Sequence, residues 1–297
     1  MHVAFFRFFQ ALVFLCALGG EGRAFARQRA QTIYGVDSRT EISEVRHEEI
    51  RRWIPFTVAL VENQDLVAGV EGFWGRQKSL GEEYGLCQQE RFFDQPTLSF
   101  CTGFRMSANW IVTAKHCVED LSCAEFKIVD NFSSEKRFTL FFSQQEVQSC
   151  KEIRVSKKHD IAFLRMEESG STWRSDDRFE VILDHQLQKN PMGFEILGYP
   201  LGLPMKWAEG ALISKKRDHF FASIDSYEGN SGSPIFDKKG RLAGILLGGE
   251  EDFDEKESEA CKASHSCQLG DHCEGEEIIS IEKVDKEFKQ INLLSGR

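Results

Sequence analysis

Short apolar runs separated by turn residues are the feature that most restricts the fold of this chain. From about residue 56 onward the runs are only a few residues long, and several are rich in β-branched and aromatic residues. Many short strands at this spacing are typical of an all-β barrel or sandwich. The predicted strands are residues 56–61, 98–106, 110–113, 137–142, 161–166, 194–199, 211–214, 220–224, 234–236 and 242–247.

The end of the chain follows a different pattern. Apolar residues recur there at the spacing of a helix, namely Val284, Phe288, Ile291 and Leu294, which predicts a short closing helix. The Lys-Lys-Gly sequence at 238–240 lies between two predicted strands and predicts a hairpin turn. The polar segment 169–177 separates two strand-rich halves, so we expect a boundary there.

The first 26 residues have the layout of a secretory signal peptide. A short start with one positive charge, Arg7, precedes an uncharged apolar run over 8–20. Small residues at Ala24 and Ala26 then form a cleavage site of the usual kind. The alternative is a short membrane anchor, but the apolar run is shorter than a bilayer span requires. We therefore expect a secreted or periplasmic protein with no stable membrane association after signal cleavage.

The cysteine count agrees with export. Of nine cysteines, Cys16 would leave with the signal peptide and eight would remain. An even number in an exported chain predicts disulfides, although the count leaves their connectivity open. A metal cluster is the alternative for five residues near the C-terminus, Cys261, His265, Cys267, His272 and Cys273. Their spacing does not match a standard zinc motif, so we expect no metal.

Composition restricts the partners. The 297 residues are 28% charged and 41% hydrophobic, as in an ordinary soluble globular protein. A net charge of −10 argues against a phosphate-backbone partner, so we expect no nucleic acid. Segment 250–259 carries seven acids and one lysine and is predicted to be a solvated loop.

Three separated segments carry the groups that a serine needs to hydrolyse a peptide bond. Ser231 lies in a turn between Gly229 and Gly232, which predicts an exposed and rigidly held hydroxyl. His116 follows a predicted strand and is the candidate base, and Asp160 begins an apolar strand and is the candidate acid that orients it. The backbone N–H groups of Gly229 and Ser231 would form the oxyanion hole.

These segments resemble those of the chymotrypsin-like (trypsin-fold) serine peptidases. Segments 100–103 and 113–117 are similar to the family's histidine region, 160–162 to its aspartate region, and Gly-Asn-Ser-Gly-Ser-Pro at 229–234 to its serine region. The order His, Asp, Ser is also the family's, and the resemblance extends over about residues 32–292. It implies two antiparallel six-stranded β-barrels with the triad between them, a C-terminal helix, and a disulfide joining Cys101 to Cys117. It also implies a serine endopeptidase that is monomeric, needs no cofactor and acts on protein or peptide substrates.

The resemblance is closest to the bacterial branch that includes the glutamyl endopeptidases (V8-like). The serine region has the form typical of that branch, and residues 32–39 are similar to its mature N-terminus. By this resemblance we expect a lead segment over 27–45, with 27–31 as a short propeptide, and barrels over 46–172 and 173–297. The Arg-Arg pair at 51–52 is the alternative processing site.

The chain departs from the family pattern near its site. Lys115 stands where the family usually has a small residue, and Asn230 replaces the aspartate that pairs with a new N-terminal amine in animal members. Tyr227 replaces a cysteine that braces the specificity pocket in trypsin itself. The segment Leu247-Gly248-Gly249 departs from the usual Ser-Trp-Gly strand, although the glycines would still let a substrate backbone lie alongside.

Two hypotheses about the substrate preference follow from the resemblance. Asp225 and Ser226 occupy the positions where trypsin-type enzymes place the acid and its neighbour at the base of the S1 pocket, which predicts cleavage after Arg or Lys. The alternative is cleavage after Glu, as in the nearest branch, but Leu246 occupies the position of the histidine that helps those enzymes to bind an acidic side chain. Asp225 could instead be a turn residue bonded to its own backbone. If it binds cations, segment 250–259 could rim the cleft and attract basic peptides.

A protein that keeps the protease fold but only binds its partners is the remaining alternative. The presence of Ser231, His116 and Asp160 argues against it.

Overall fold

The computed structural model describes residues 33–167, 181–187, 192–249, 252–256, 260–267 and 273–295. The predicted signal peptide 1–26, the short propeptide 27–31 and the boundary segment 169–177 lie outside these residues, as does His272. Within them the structure is mostly β, with two closed barrels and one C-terminal helix.

The first barrel consists of six antiparallel strands. They are β1 (Thr57–Glu62), β2 (Cys101–Ser107), β3 (Trp110–Ala114), β4 (Phe126–Val129), β5 (Val147–Val155) and β6 (Ile161–Met166). The strands follow one another around the barrel in the order β1-β2-β3-β6-β5-β4, and β4 closes it onto β1. The interior is apolar because runs such as residues 161–164 of β6 are completely buried.

The second barrel repeats this arrangement. Its strands are β7 (Gly193–Gly198), β8 (Lys206–Lys216), β9 (His219–Ala222), β10 (Pro234–Asp237), β11 (Leu242–Gly248) and β12 (Glu276–Ser280). The order around it is β7-β8-β9-β12-β11-β10, with β10 closing onto β7, so both barrels have the same strand order. The two-residue strand Thr40–Glu41 is added outside the barrel beside β8.

Shorter elements decorate the barrels. Leu66–Ala68, Gly72–Gly75 and Phe141–Ser143 form a three-stranded sheet, Phe253–Lys256 pairs with Cys261–Ser264, and Ile33–Tyr34 runs parallel to Ser266–Cys267. Two short α-helices span Glu48–Arg51 and Leu80–Tyr84. Single 3₁₀ turns lie at Ile42–Glu44, Ile54–Phe56, Asn63–Asp65, Lys115–Cys117, Ser134–Phe138, Asp184–Gln186 and Pro200–Gly202.

The predicted C-terminal helix is confirmed and spans Ile281–Ser295 directly after β12. The apolar face of this helix packs against the first barrel as well as the second. The ring of Phe288 stacks on Phe163 at a centroid distance of 5.5 Å and meets Trp110 edge-on at 6.2 Å. The helix therefore joins the end of the second barrel to β3 and β6 of the first.

Two local predictions were wrong. Residues 137–142 do not form one strand, because turn hydrogen bonds from Lys136 to Ser133 and from Thr139 to Lys136 curl the chain into a 3₁₀ helix first. The acidic segment 250–259 is not simply a loop, since Phe253–Lys256 is a strand. The ring of Phe253 in this strand stacks on the ring of Tyr227 at a centroid distance of 5.4 Å, and this apolar contact holds the strand against the rest of the protein.

All eight cysteines that follow the predicted signal peptide are paired. The disulfides are Cys87–Cys261, Cys101–Cys117, Cys123–Cys150 and Cys267–Cys273, and they include the pair implied by the resemblance. Four disulfides are typical of proteins from an oxidising compartment. Among the described helices, none is both long and apolar enough to cross a bilayer.

Candidate active site

The candidate base and the candidate acid lie at the ends of two neighbouring strands. His116 sits in the 3₁₀ turn that follows β3, and Asp160 directly precedes β6. These strands pair with Ala114 opposite Ile161, and the Lys115 N–H donates to the Asp160 carbonyl at 3.2 Å. The barrel register thus brings together two residues that are 44 positions apart.

The Asp160 carboxylate holds His116 in two ways. One oxygen accepts the His116 backbone N–H at 3.0 Å, and the other lies 2.7 Å from Nδ1 of the ring. This pair leaves Nε2 on the far side of the ring. The two side chains are 44% and 38% exposed, so the pair sits at the floor of an open cleft rather than in the core.

The pKa values of this pair are shifted in opposite directions. The hydrogen bond from Asp160 raises the pKa of His116 above its usual value, although partial burial acts the other way. Burial raises the pKa of Asp160, but the hydrogen bonds from the His116 ring and backbone outweigh it, so the pKa lies below its usual value. The arrangement therefore favours a charged carboxylate that stabilises an imidazolium when one forms.

The turn that carries Ser231 is tied to the first barrel. Gly232 has φ +91°, and a Cβ there would lie 2.1 Å from the Thr102 carbonyl oxygen, so only glycine fits. The Thr102 N–H donates to the Ser231 carbonyl at 3.0 Å. The Ser231 hydroxyl donates to the Leu247 carbonyl at 3.4 Å. Strand β2 of one barrel thus positions a serine of the other.

The peptide that joins Glu228 to Gly229 is held by its carbonyl oxygen. The Glu228 carbonyl accepts the Leu201 N–H at 2.5 Å, and since a trans peptide directs its C=O and N–H oppositely, the Gly229 N–H points away from Leu201. Thr102 Oγ1 donates to the Gly229 carbonyl at 2.8 Å and fixes the next peptide. Among the described residues, neither the Gly229 nor the Ser231 N–H donates to another backbone group. Both amides are available to a substrate oxygen.

Leu201, whose amide holds the Glu228 carbonyl, has a strained backbone that the sequence did not signal. Leu201 is buried with φ +54°, a left-handed conformation that a leucine rarely adopts. The neighbouring Gly229 has φ +88°. Strain of this kind persists where the surrounding structure demands it, here because the Leu201 amide holds the Glu228 carbonyl.

The candidate residues lie along a groove made of three adjoining cavities. The central cavity, of about 310 Å³, is lined by His116, Ser231 and the strand end 246–249. A second, of about 360 Å³, shares Glu228 with it and reaches Leu201 and Tyr84. A third, of about 430 Å³, shares residues 247–249 with the central one and includes Asp160. The groove therefore extends to both sides of Ser231.

The predicted substrate-binding residues separate into two groups. Ser226, Gly248 and Gly249 line the central cavity together with His116 and Ser231. Asp225 is not among the residues lining this cavity, and its side chain is 2% exposed. It is not a turn residue bonded to its own backbone either, because its carboxylate accepts hydrogen bonds from the distant segment 34–38.

Three acids line the central cavity, Glu228, Asp252 and Glu276, and none of them was identified from the sequence as a substrate-binding residue. Glu276 is the first residue of β12, and Asp252 precedes the strand Phe253–Lys256. Asp252 belonged to the acidic segment that the sequence suggested as a possible rim, but nothing local marked it from its neighbours. Glu276 lies in a pair of glutamates before an isoleucine pair, and no pattern signalled that one of them turns inward.

The residues that depart from the family pattern have local partners. Lys115 pairs with Glu119 at 3.2 Å, on the outer side of the histidine turn. Asn230 is buried, and its side chain donates to Ser226 Oγ at 3.2 Å. Arg39 lies over the ring of Tyr227 at 4.2 Å, so a cation–π contact supports the wall where trypsin has a cysteine.

Among the described residues every cysteine is used in a disulfide, so none offers a thiolate to a metal. The only cluster of suitable dimensions there is Cys101, His116 and Cys117, and the two cysteines are joined in a disulfide. The three cysteines of the alternative metal cluster near the C-terminus, Cys261, Cys267 and Cys273, are also in disulfides.

The chain was compared with curated sequences and with solved structures. A comparison with curated protein sequences gives no significant match. Among solved structures, the chain is similar to the inactive form of Rv3671c from M. tuberculosis H37Rv, with 12% identity, a TM-score of 0.48, and coverage of 84% of this chain and 92% of that one. It is also similar to the serine endoprotease from Yersinia pestis, with 14% identity, a TM-score of 0.47, and coverage of 84% and 66% respectively.

The family comparison covers the segments that build the cleft. Residues 101–245 match the model of the trypsin-like peptidase domain. This range begins at the first residue of β2 and ends within β11, so it includes His116, Asp160 and Ser231. Residues 101–245 are therefore similar to a trypsin-like peptidase domain, and the described structure has the two six-stranded barrels that the resemblance implied.

Proposed function

We propose that this protein is an exported serine endopeptidase with His116, Asp160 and Ser231 as its catalytic triad. The main support for the proposal is that Asp160 hydrogen-bonds to both the ring and the backbone N–H of His116. The His116 side chain also lines the same cavity as Ser231. The predicted signal peptide and the four disulfides support export. The groove on both sides of Ser231 supports cleavage within a chain rather than at its end.

The reaction follows from the roles of these groups. Ser231 Oγ attacks the carbonyl carbon of the scissile bond, and its proton passes to Nε2 of His116. The oxygen that becomes negative is bound by the N–H groups of Gly229 and Ser231. His116 then gives the proton to the leaving amine, and an acyl-enzyme remains. Water, deprotonated by His116, releases the acid and restores the hydroxyl.

The preferred side chain before the scissile bond is Arg or Lys. The central cavity supports this preference because the described charged residues lining it, apart from His116, are the acids Glu228, Asp252 and Glu276. A Glu side chain would meet like charge there. The alternative of Glu specificity has no residue of the described cavity to favour it, since Leu246 lines the wall where a histidine would be required.

A labelling experiment tests the catalytic proposal. The mature protein is treated with a serine-directed organophosphonate, and kcat/KM is measured on matched peptides with Arg, Lys, Glu or Phe before the scissile bond. We expect labelling and cleavage in the wild type and neither in Ser231→Ala. Ser233→Ala is the matched control, because Ser233 is buried two residues away and its hydroxyl has no hydrogen-bond partner among the described residues. Absence of labelling in the wild type would refute the proposal and favour a binding protein.

A further inference from the structure

The N-terminal segment 33–39 is tied to the loop that carries Ser231. The carboxylate of Asp225, in that loop, accepts the Tyr34 N–H at 2.7 Å, the Ser38 N–H at 2.6 Å and the Ser38 hydroxyl at 2.7 Å. Burial raises the pKa of Asp225 above its usual value, although these hydrogen bonds oppose the effect. Because the carboxylate is held by three short hydrogen bonds, Asp225 anchors the segment.

Two further sets of contacts fix the course of this segment. Ile33–Tyr34 pairs with Ser266–Cys267. The guanidinium of Arg91 donates to the Asp37 carbonyl at 2.9 Å and to the Arg39 carbonyl at 2.7 Å. Since both ends of the segment are bonded to neighbouring parts of the chain, the directions of the side chains that it carries are also restricted.

The side chain of Arg39 reaches from this segment to the ring of Tyr227. Arg39 is 3% exposed and Tyr227 is 4% exposed, and the guanidinium carbon lies 4.2 Å from the centroid of the ring. Nε and Nη2 of Arg39 donate to the carboxylate oxygens of Asp37 at 2.9 and 2.8 Å, which fixes the plane of the guanidinium. A cation and an aromatic ring attract each other most strongly when both are removed from water, as they are here.

Tyr227 in turn forms part of the wall of the central cavity. It lines this cavity together with His116 and Ser231. Its ring also stacks on the ring of Phe253 at a centroid distance of 5.4 Å. A ring held by Arg39 and Phe253 therefore sets the shape of the cavity beside the candidate nucleophile.

The candidate oxyanion hole has other supports. The Glu228 carbonyl is held by the Leu201 N–H, and the Gly229 carbonyl is held by the Thr102 hydroxyl. Neither of these bonds involves Arg39, so loss of the Arg39 side chain changes the cavity wall and leaves the catalytic groups in place. Selectivity for a substrate side chain and reactivity of the nucleophile can therefore be measured separately.

The charge of Arg39 also acts on an acid of the cavity. Burial, together with the charge of Glu228, raises the pKa of Asp252 to about 7, while the hydrogen bond from the Glu228 N–H and the charge of Arg39 act in the opposite direction. Arg39 itself is not among the described residues that line the cavity. Its charge therefore helps Asp252 to ionise without occupying the space that a substrate would fill.

We infer that Arg39 is a positioning residue for substrate selectivity, because it holds the ring of Tyr227 as a wall of the cavity that receives the side chain before the scissile bond. This inference rests on the proposed peptidase function. Arg39 acts from the N-terminal segment 33–39, which Asp225 anchors. A part of the chain far from Ser231 in sequence thus contributes to the choice of substrate.

The test compares Arg39→Met with the wild type in the full mature protein. Organophosphonate titration counts the functional Ser231 in each preparation, and kcat/KM is measured on matched peptides with Arg, Phe or Ala before the scissile bond. The side-chain ratio is kcat/KM on the better of the Arg and Phe peptides divided by kcat/KM on the Ala peptide. We expect this ratio to fall about tenfold in Arg39→Met, because the cavity wall contacts a large side chain but not the methyl group of alanine.

Arg105→Met is the matched control. Arg105 is also buried beside a carboxylate, with Nη2 2.6 Å from Asp130 Oδ1, but it lies on β2 and is not among the described residues that line the central cavity. Removal of one partner from a buried ion pair is destabilising. We therefore expect the melting temperature of Arg105→Met to fall while its side-chain ratio stays within about twofold of the wild type.

The results separate a positioning role from a structural one. A ratio that stays within about twofold of the wild type in Arg39→Met overturns the inference, and so does an equal fall in Arg105→Met, because the loss would then follow from destabilisation alone. If Arg39→Met cannot be titrated, Asp37→Asn is measured in its place, since the amide keeps the shape of Asp37 and weakens its bonds to Arg39. We expect its ratio to fall about threefold, and an unchanged ratio overturns the inference.

The wild type distinguishes failure of this inference from failure of the proposed function. A wild type that is labelled by the organophosphonate but has the same kcat/KM on all three peptides overturns this inference alone, because the cavity would then not sense the side chain. A wild type that is not labelled overturns the proposed function.

Discussion

The hydroxyl of Thr102 links the two barrels at the candidate oxyanion hole, so its removal is the most direct test of how the site is held. Thr102 lies on β2 of the first barrel and is completely buried. Its Oγ1 donates to the Gly229 carbonyl at 2.8 Å and accepts the Tyr199 N–H at 3.1 Å. Thr102→Val keeps the shape of the side chain and removes both bonds.

The size of the effect follows from the two groups left unpaired. A buried donor or acceptor without a partner costs about 1–3 kcal/mol, so the free energy of unfolding should fall by about 2–6 kcal/mol. For a protein of this size that corresponds to a melting temperature lower by roughly 5–15 °C. Release of the Gly229 carbonyl also lets the adjacent amide move. Losing one oxyanion donor lowers kcat about 100- to 1,000-fold, so we expect a displaced donor to lower kcat at least about tenfold.

Thr57→Val is the matched control for this experiment. Thr57 is equally buried on β1, but its hydroxyl makes one longer bond, 3.3 Å, to the Trp53 carbonyl, away from the cleft. Thermal unfolding and kcat on an Arg peptide, normalised by organophosphonate titration, are measured for both variants. The reasoning fails if Thr102→Val melts no lower than Thr57→Val and keeps kcat within twofold of the wild type.

The remaining predictions concern the base and the glycines. Because only a neutral imidazole accepts the serine proton, kcat/KM on a Phe peptide should fall as the pH drops through the pKa of His116, with a midpoint above the usual value near 6.5. Asp160→Asn should lower that midpoint, and a pH profile with no shift contradicts the pairing. Gly232→Ala should lose at least about 2 kcal/mol of unfolding free energy, since its φ of +91° and its contact with Thr102 exclude a methyl group. Gly248→Ala meets no atom within 4 Å, so its melting temperature should stay unchanged while KM rises; a lower melting temperature would contradict this.

The sequence predicted well those features that depend on nearby residues. The strand Ile161–Met166 has its predicted bounds because Asp160 and Glu167 frame a continuous apolar run. The all-β architecture and the closing helix, which strand spacing and helical periodicity predicted, are confirmed, and so are the two barrels that the resemblance implied. The His, Asp and Ser segments could be found because each carries its own turn chemistry.

Features that depend on distant partners could not be read in this way. Strand β12 was missed since its sequence begins with two glutamates, which look solvent-exposed until the barrel closes over Glu276. The partners of Asp225 lie 187 and 191 positions away, so no local pattern could show that its carboxylate serves the N-terminal segment 33–39 rather than a pocket. Sequence position identifies a backbone site, but the direction of a side chain is decided by the tertiary packing around it.

The disulfide Cys87–Cys261 differs from the other three in the length of chain it closes. It joins positions 174 residues apart, whereas the others close 27 residues or fewer. In the chain-entropy view such a loop contributes about 5 kcal/mol by restricting the unfolded chain. It also means that a break at any single peptide bond between these cysteines leaves both pieces covalently joined. A chain cleaved once between these cysteines by a second copy of the protein would still migrate as one band on a denaturing gel until a reductant is added. Its two barrels could also reassemble without diffusing apart.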